Sequence, residues 1–344
     1  MVSNIGVPLA KGGTDRPMTT LSTSLPELGL AHRVTSEPAT SASGPGSGPS
    51  GVSAPQAKPE TPGGSNQLGT QLLYGGPFIA FHFLPLVAIW TGVNPIDVAV
   101  CAALYVIRMF GVTGAYHRYF AHRTYHTSRV FQFCLALLAM SSSQRGALWW
   151  AAHHRHHHKH SDEPVDLHSP KQQGLFHAHV GWLFVPENTP TQYNLIKDFA
   201  KFPELVFLDK FWYLPQSILG FAVWHALGWS GLWIGFVLST VLLWHGTFTI
   251  NSLTHVWGKK VYESGDDSKN SFILALITLG EGWHNNHHYY QACTRQGFHW
   301  WQIDITYYTL RALAAVGLVW DLREPPPEVI AGTWGRKTTE TLAP

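Results

Sequence analysis

The run His153-His154-Arg155-His156-His157-His158-Lys159-His160 places six imidazoles in eight residues. Read as a helix, His154, His157 and His158 stand at i, i+3 and i+4 and share one face. That is how a helix offers several nitrogen ligands to one metal site. The triplet recurs at the same spacing far downstream, as His284, His287 and His288 in Glu281-Gly282-Trp283-His284-Asn285-Asn286-His287-His288. A further pair, His117 and His122, lies upstream. Five residues of α-helix turn through about 500°, so this pair does not share a face of an unbroken α-helix. Either the helix ends or bends there, or the two residues serve two metal ions from different sides. One HxxHH could arise by chance, but two of them with an HxxxxH form a histidine-rich metal centre.

Outward from this stretch, the chain has 344 residues, of which 45% are apolar and 13% charged. Soluble domains carry about 25% charged residues, so the composition points to a membrane protein. The 15 Trp suit interfacial belts. A net charge of +2 implies no affinity for nucleic acid. Cys101, Cys134 and Cys293 are scattered and form no CxxC, which argues against a disulfide framework or a structural zinc finger.

Residues 1 to about 70 are rich in Pro, Gly, Ser and Thr and cannot bury enough apolar surface to fold, so they read as a disordered tail. Two apolar runs follow, over about 77–92 and 96–116, joined by the turn Gly92-Val93-Asn94-Pro95. Two more, over about 211–228 and 232–251, are joined by Gly228-Trp229-Ser230-Gly231. Each run approaches the roughly 20 residues of a membrane helix. Val130 to Met140 is apolar but short and suits an interfacial or buried helix. Trp300 to Trp320 reads as an amphipathic interface helix.

Neither hairpin turn contains Lys or Arg; apart from Arg108, these residues lie in the tail, the central loop or the C-terminal part. The positive-inside rule puts those three parts in the cytosol. The expected architecture is an all-α membrane protein with four transmembrane helices in two hairpins. A cytosolic helical cap from residues 117–210 and 252–323 would hold a histidine-rich di-metal site. Residues 71–323 form the membrane domain, and 324–344 read as a C-terminal tail. Imidazole suits iron, copper, zinc and nickel. An all-histidine shell facing the cytosol beside a bilayer suits oxidation of a lipid chain by dioxygen at two irons, with a soluble electron donor.

His117-Arg118-Tyr119-Phe120-Ala121-His122, His154-Arg155-His156-His157-His158, Asn251-Ser252-Leu253-Thr254-His255 and Glu281 to His288 resemble the motif set of membrane fatty acyl desaturases of the stearoyl-CoA type. His179-Val180-Gly181-Trp182-Leu183 and Asp304-Ile305-Thr306-Tyr307-Tyr308 are similar too, and the likeness runs from about 75 to about 323. It implies insertion of a cis double bond at the delta-9 position of a saturated acyl chain. It also implies two Fe2+ ions and dioxygen as co-substrate; zinc, which ranks above Fe2+ in intrinsic affinity for the same nitrogens, can replace iron in recombinant material. The implied metal ligands are His117, His122, His154, His157, His158, His255, His284, His287 and His288. Asn251 would hold a water beside one metal. Trp150, Thr247 and Phe248 would line the bend of an acyl tunnel.

We expect the tunnel floor on the second span, at Leu104, Arg108, Gly111 and Val112. Asp162, Glu163, Asp166 and Glu281 are candidate partners for the outer nitrogens of the ligands, since imidazole ligands usually donate there. His168 would stand just outside the ligand set. His225 and His245 read as core histidines with backbone partners.

The likeness departs where animal enzymes contact the CoA headgroup. The matching stretch is Gln144-Arg145-Gly146 and Ala152-His153, and Gln172-Gln173 replace a basic pair. The acyl carrier is therefore CoA, a carrier protein or a lipid ester. No His-Pro-Gly-Gly haem motif occurs in the sequence, so the electron donor is a separate protein of ferredoxin, rubredoxin or cytochrome type. The competing functions are a lipid or alkane hydroxylase with the same ligands, and a non-enzymatic histidine-rich metal-binding membrane protein. A carrier would set polar ligands along its membrane helices. Here they cluster at the cytosolic ends.

Overall fold

The computed structural model describes residues 75–335. The expected tail, residues 1–70, lies outside the described residues. The described part is mostly helical, with one two-stranded sheet that pairs His126–Thr127 with Val319–Trp320. Helix α1 (Gly75–Thr91) is apolar and ends at Gly92, whose φ of 80° suits a residue without a Cβ. Helix α2 starts at Pro95, capped reciprocally by Asn94 and Asp97, and runs to Phe110. It continues without a break as a fully buried π-helix, Gly111–Ala121.

Helix α3 (Arg129–Met140), capped by Ser128, is largely buried beside α2. Gly111 allows the close approach, because a Cβ there would meet Leu138 O at 3.0 Å and the Ala139 Cα at 3.1 Å. Helix α4 (Ala147–His160) carries the central histidines. Helix α5 (Leu214–Ser230) breaks at Gly228 (φ 71°, ψ −160°), and the chain folds back as a π-helical segment (Gly231–Leu238) and helix α6 (Ser239–Ser252). Val223, Phe236 and Val237 join the two arms. Among the described residues, Pro95–Ala121 and the kinked Leu214–His255 are long and apolar enough to cross a membrane; Gly75–Thr91 is apolar and shorter. Helix α7 (His284–Tyr289) carries the last histidine triplet.

Two expectations change. The run from Trp300 to Trp320 is not one helix. Helix α8 covers Ile305–Ala315 only, started by the Asp304 side chain and followed by Gly317 in the left-handed region, after which Val319–Trp320 pairs as a strand. The C-terminal segment is not all tail either. Val329, in a short helix (Pro327–Ile330), is fully buried with Tyr262, Cys293 and Phe298.

Candidate metal centre

The π-helix answers the question left by His117 and His122. Its i→i+5 hydrogen bonding widens the turn, and π-turns of this kind recur at functional sites. The His122 amide donates to His117 O at 3.1 Å, and the two rings lie 4.8 Å apart. The pair shares a face after all.

The nine histidines gather into two sets. One contains His117, His122, His154, His158 and His287; the other contains His157, His255, His284 and His288. In each set the facing nitrogens lie within 4.8 Å of one another. Helix α4 serves both: His154 and His158 enter the first set and His157 the second, and α7 divides likewise. In the first set, His117 Nε2 meets His287 Nε2 at 2.9 Å, His154 Nε2 meets His122 Nε2 at 3.0 Å, and His158 Nε2 meets His287 Nε2 at 3.0 Å. In the second, His255 Nε2 meets His284 Nε2 at 3.1 Å.

The outer nitrogens show which rings turn a lone pair inward, where a cation could sit. His117 Nδ1 lies 2.5 Å from Glu281, His157 Nδ1 2.9 Å from Asp166, His255 Nδ1 2.9 Å from Asp162 and His288 Nδ1 2.5 Å from Asp266. A carboxylate only accepts, so each of these Nδ1 atoms carries the proton and each Nε2 presents a lone pair. In each set such inward lone pairs converge on one space with the other ring nitrogens, which is how imidazoles ligate a cation. His288 Nε2 is buried and has no other partner. The donor set, the tautomers and the orphaned nitrogens all fit two metal ions.

Burial, then the neighbouring imidazoles, holds His154, His158, His284 and His287 well below the ordinary histidine pKa, so they are neutral at pH 7. Burial brings His288 down to about 4, against the opposing pull of Asp266. Burial raises Asp162 and Asp166, but His255 and His157 outweigh it and hold both carboxyls well below the usual range.

Of the carboxylates expected beside the outer nitrogens, Asp162, Asp166 and Glu281 meet His255, His157 and His117. Glu163 instead meets His160 at 2.8 Å near the surface. Asp266 was not foreseen, because it sits in the unpatterned loop Ser264-Gly265-Asp266-Asp267-Ser268. Nor was Arg118, buried between Glu281 (3.1 Å) and Asp304 (2.9 Å), which fixes Glu281 against His117. His153 and His156 turn to the backbone oxygens of Trp149 and Val165 and join neither set. His168 packs 4.3 Å from the His157 ring, and its amide donates to Asp166.

A cavity of about 450 Å³ runs up to the first set. Phe78, Trp149, Trp182, Phe184, Trp244 and Phe248 give it a mainly apolar wall. Trp150, His154, Thr247 and Asn251 line both this cavity and a narrower continuation floored by Met109, Val112 and Thr113. These four therefore stand at the junction. Gln144 ties it together: Trp150 Nε1–H donates to Gln144 Oε1 (3.3 Å) and Gln144 Nε2–H donates to Thr247 Oγ1 (3.0 Å). Phe248 lines only the outer chamber. The expected floor is corrected. Gly111 lines neither chamber because it faces the α3 backbone, Leu104 packs toward Val223 and Phe236, and the buried Arg108 is bonded to Ser141 O, Ser239 and Thr240. Val112 remains, joined by Met109 and Thr113.

The family profile "Fatty acid desaturase" matches residues 94–321. The chain is 34% identical over 247 residues to an sn-1 stearoyl-lipid 9-desaturase of Anabaena variabilis, covering 71% of this chain and 88% of that protein. It is 30% identical over 259 residues to an sn-2 palmitoyl-lipid 9-desaturase of a Nostoc species, covering 73% and 90%. It is 32% identical over 268 residues to an acyl-CoA C20 Delta5-desaturase of Anemone leveillei, covering 74% and 81%. With two thirds of its length inside the profile and its histidines gathered in two sets beside an apolar cavity, the chain belongs to the fatty acid desaturase family.

Proposed function

We propose that this desaturase inserts a cis double bond at the delta-9 position of a saturated acyl chain carried by a membrane lipid. The nine histidines are read as ligands of two irons, which when bound supply the one-electron chemistry that activates dioxygen. Two electrons come from a separate donor protein. The observation that carries the reading is the junction at Trp150, His154, Thr247 and Asn251, where the outer cavity and the narrower chamber meet beside the five-histidine set. The methylenes of a fatty chain are chemically near-equivalent, so the choice among them is made by position. The wall supplies position: Gln144 holds Trp150 against Thr247, and Met109, Val112 and Thr113 limit how far the chain end travels.

The carboxylates Glu281, Asp166, Asp162 and Asp266 hold each outer proton on Nδ1, which keeps the inner nitrogens free to ligate. Asn251, at the junction, is read as holding a water beside one metal. The two hairpins α1–α2 and α5–α6 are read as four membrane spans, with the histidine-bearing ends on the cytosolic side. The lipid carrier is favoured by the relatives named above and by the cavity itself, whose one lysine or arginine is Arg145, stacked on Trp149 and Trp212. Expression in a desaturase-deficient host, with chromatography and mass spectrometry of each lipid class, tests this. New monounsaturated chains with the bond at carbon 9 are expected; hydroxylated chains would make the enzyme a hydroxylase, and unaltered lipids with metal bound would leave a metal carrier.

A further inference from the structure

A second histidine cluster lies away from the metal centre. His82 on α1, His245 on α6 and His179 in the segment Leu175–His179 form one continuous chain. His245 was expected to have a backbone partner. Instead its Nε2 meets His82 Nε2 at 3.0 Å and its Nδ1 meets His179 Nε2 at 2.9 Å. The far ends are also occupied: His82 Nδ1 lies 2.7 Å from Phe78 O, and His179 Nδ1 lies 2.9 Å from Ser252 Oγ. His245 turns a different nitrogen to each neighbour, so the three do not converge on one point as ligands would.

The partners fix the protons. Phe78 O only accepts, so His82 Nδ1 carries a hydrogen and, in a neutral ring, His82 Nε2 accepts. His245 Nε2–H then donates to it, His245 Nδ1 accepts from His179 Nε2–H, and His179 Nδ1 accepts from the Ser252 hydroxyl once that hydroxyl turns from Phe248 O, its other acceptor at 2.8 Å. One assignment satisfies all three rings, and it joins α1, α6 and the Leu175–His179 segment.

What the chain fastens is a wall of the substrate cavity. Phe78 lines that cavity and packs on Trp244 (5.2 Å), Phe184 (5.5 Å) and Phe248 (6.3 Å). The opposite face of α1 is bare and apolar: Ile79, Phe83, Leu86, Ile89 and Trp90 are more than half exposed. In a membrane that face meets lipid tails. Helix α1 thus has the cavity on one side, at Pro77 and Phe78, and an apolar face free for lipid on the other.

We propose that His82, His245 and His179 are positioning residues that latch α1 against the cavity, and that release of this latch opens a lateral way in for an acyl chain still attached to a membrane lipid. This rests on the reading of the enzyme as acting on lipid-borne chains. A chain tethered to a headgroup enters methyl end first while the headgroup stays in the bilayer, so its way in opens on the bilayer side, where α1 is the wall. The one junction that ties α1, His82 to His245, suits a fastening that opens and recloses, because it contributes only about 0.5–1.5 kcal/mol net.

The test uses the full chain in bilayer nanodiscs, loaded with iron. Phe78→Cys in a Cys134→Ser background is labelled with a maleimide dissolved in the bilayer, alone and combined with His245→Leu, His245→Gln or His82→Phe. The latch predicts that His245→Leu and His82→Phe speed labelling about 10-fold, the size of losing one or two net hydrogen bonds. His245→Gln, which keeps one donor and one acceptor, should stay near the parent rate. In enzymes with Phe78 intact, His245→Leu should raise KM for the lipid-borne chain and scatter the double-bond position, with kcat and iron content held. A role in filling space alone would lower thermal stability without this split and without rescue by Gln. Equal labelling in the parent and in both latch variants overturns the proposal, as does a well-folded His245→Gln that behaves like His245→Leu. If His245→Leu does not fold, His82→Phe at the other end carries the same comparison. Labelling that responds as expected in a protein that makes no unsaturated product supports the latch and removes the desaturase reading instead.

Discussion

Asp266 offers the most quantitative test of the metal centre. Its Oδ2 lies 2.5 Å from His288 Nδ1, while its Oδ1 accepts from the Ser264 and Ser268 hydroxyls and the Ser268 amide. Asp266→Asn keeps the size and the serine contacts but removes the charge that holds the His288 proton on Nδ1. Loss of such an outer partner typically weakens metal binding about 10–100-fold. At 1.36 kcal/mol per tenfold, that is about 1.4–2.7 kcal/mol. The loss should be confined to one metal, because His288 belongs to the four-histidine set with His157, His255 and His284. Titration with a graded iron chelator, followed by metal analysis, should show one iron leaving at a 10–100-fold lower chelator concentration and the other unmoved. Glu281→Gln, which touches His117, should weaken the five-histidine set instead. Wild-type retention of both metals in Asp266→Asn, or equal loss of both, would refute the assignment of carboxylates to separate sets.

Further expectations follow from the same geometry. His154→Ala removes a five-set ligand that also lines the junction, so turnover should vanish while the protein stays in the membrane, checked by lipid analysis and fractionation. Val112→Phe narrows the inner chamber and should move products to shorter chains at unchanged metal content. Gly111→Leu should not change chain length; it drives a side chain into the α3 backbone, and overpacking of this kind costs about 1–3 kcal/mol, read as a lowered melting temperature. On pH, the buried imidazoles whose folded pKa values are depressed contribute stability that is complete above the unfolded histidine pKa of about 6.5. That stability declines as pH falls below it, on the order of 1 kcal/mol per group per unit, because the unfolded chain takes up protons the folded one refuses. Metal-free protein should therefore melt lower at pH 5.5 than at pH 7.5, and a flat profile would contradict the neutral assignment.

The helical hairpins and the two HxxHH triplets were legible because their signals are local. Runs of apolar residues, Gly–Pro turns and the i, i+3, i+4 spacing each need only a few neighbours in sequence. His117 and His122 were legible as a pair but not in their geometry. The sequence does not announce that Gly111–Ala121 winds as a π-helix, and α-helical arithmetic separates what the wider turn unites. Asp266 and Arg118 were missed because their roles exist only through tertiary contact; Arg118 reaches residues more than 160 positions away. His82, His245 and His179 are spaced too far apart to read as one group. Gly111 shows the converse. Its position before His117 suggested the tunnel floor, yet the helix face that lines the inner chamber carries Met109, Val112 and Thr113 instead.

The central claim is that two irons lie among the nine histidines at the bend of the acyl cavity. Anomalous X-ray diffraction at the iron edge, from crystals of iron-loaded protein, measures it directly. Two peaks are predicted, one bounded by His117, His122, His154, His158 and His287 and the other by His157, His255, His284 and His288, with metal–nitrogen distances near the ~2.0–2.1 Å typical of imidazole ligation. A single peak, or a peak held by His153, His156 or His160 in place of these residues, would contradict it.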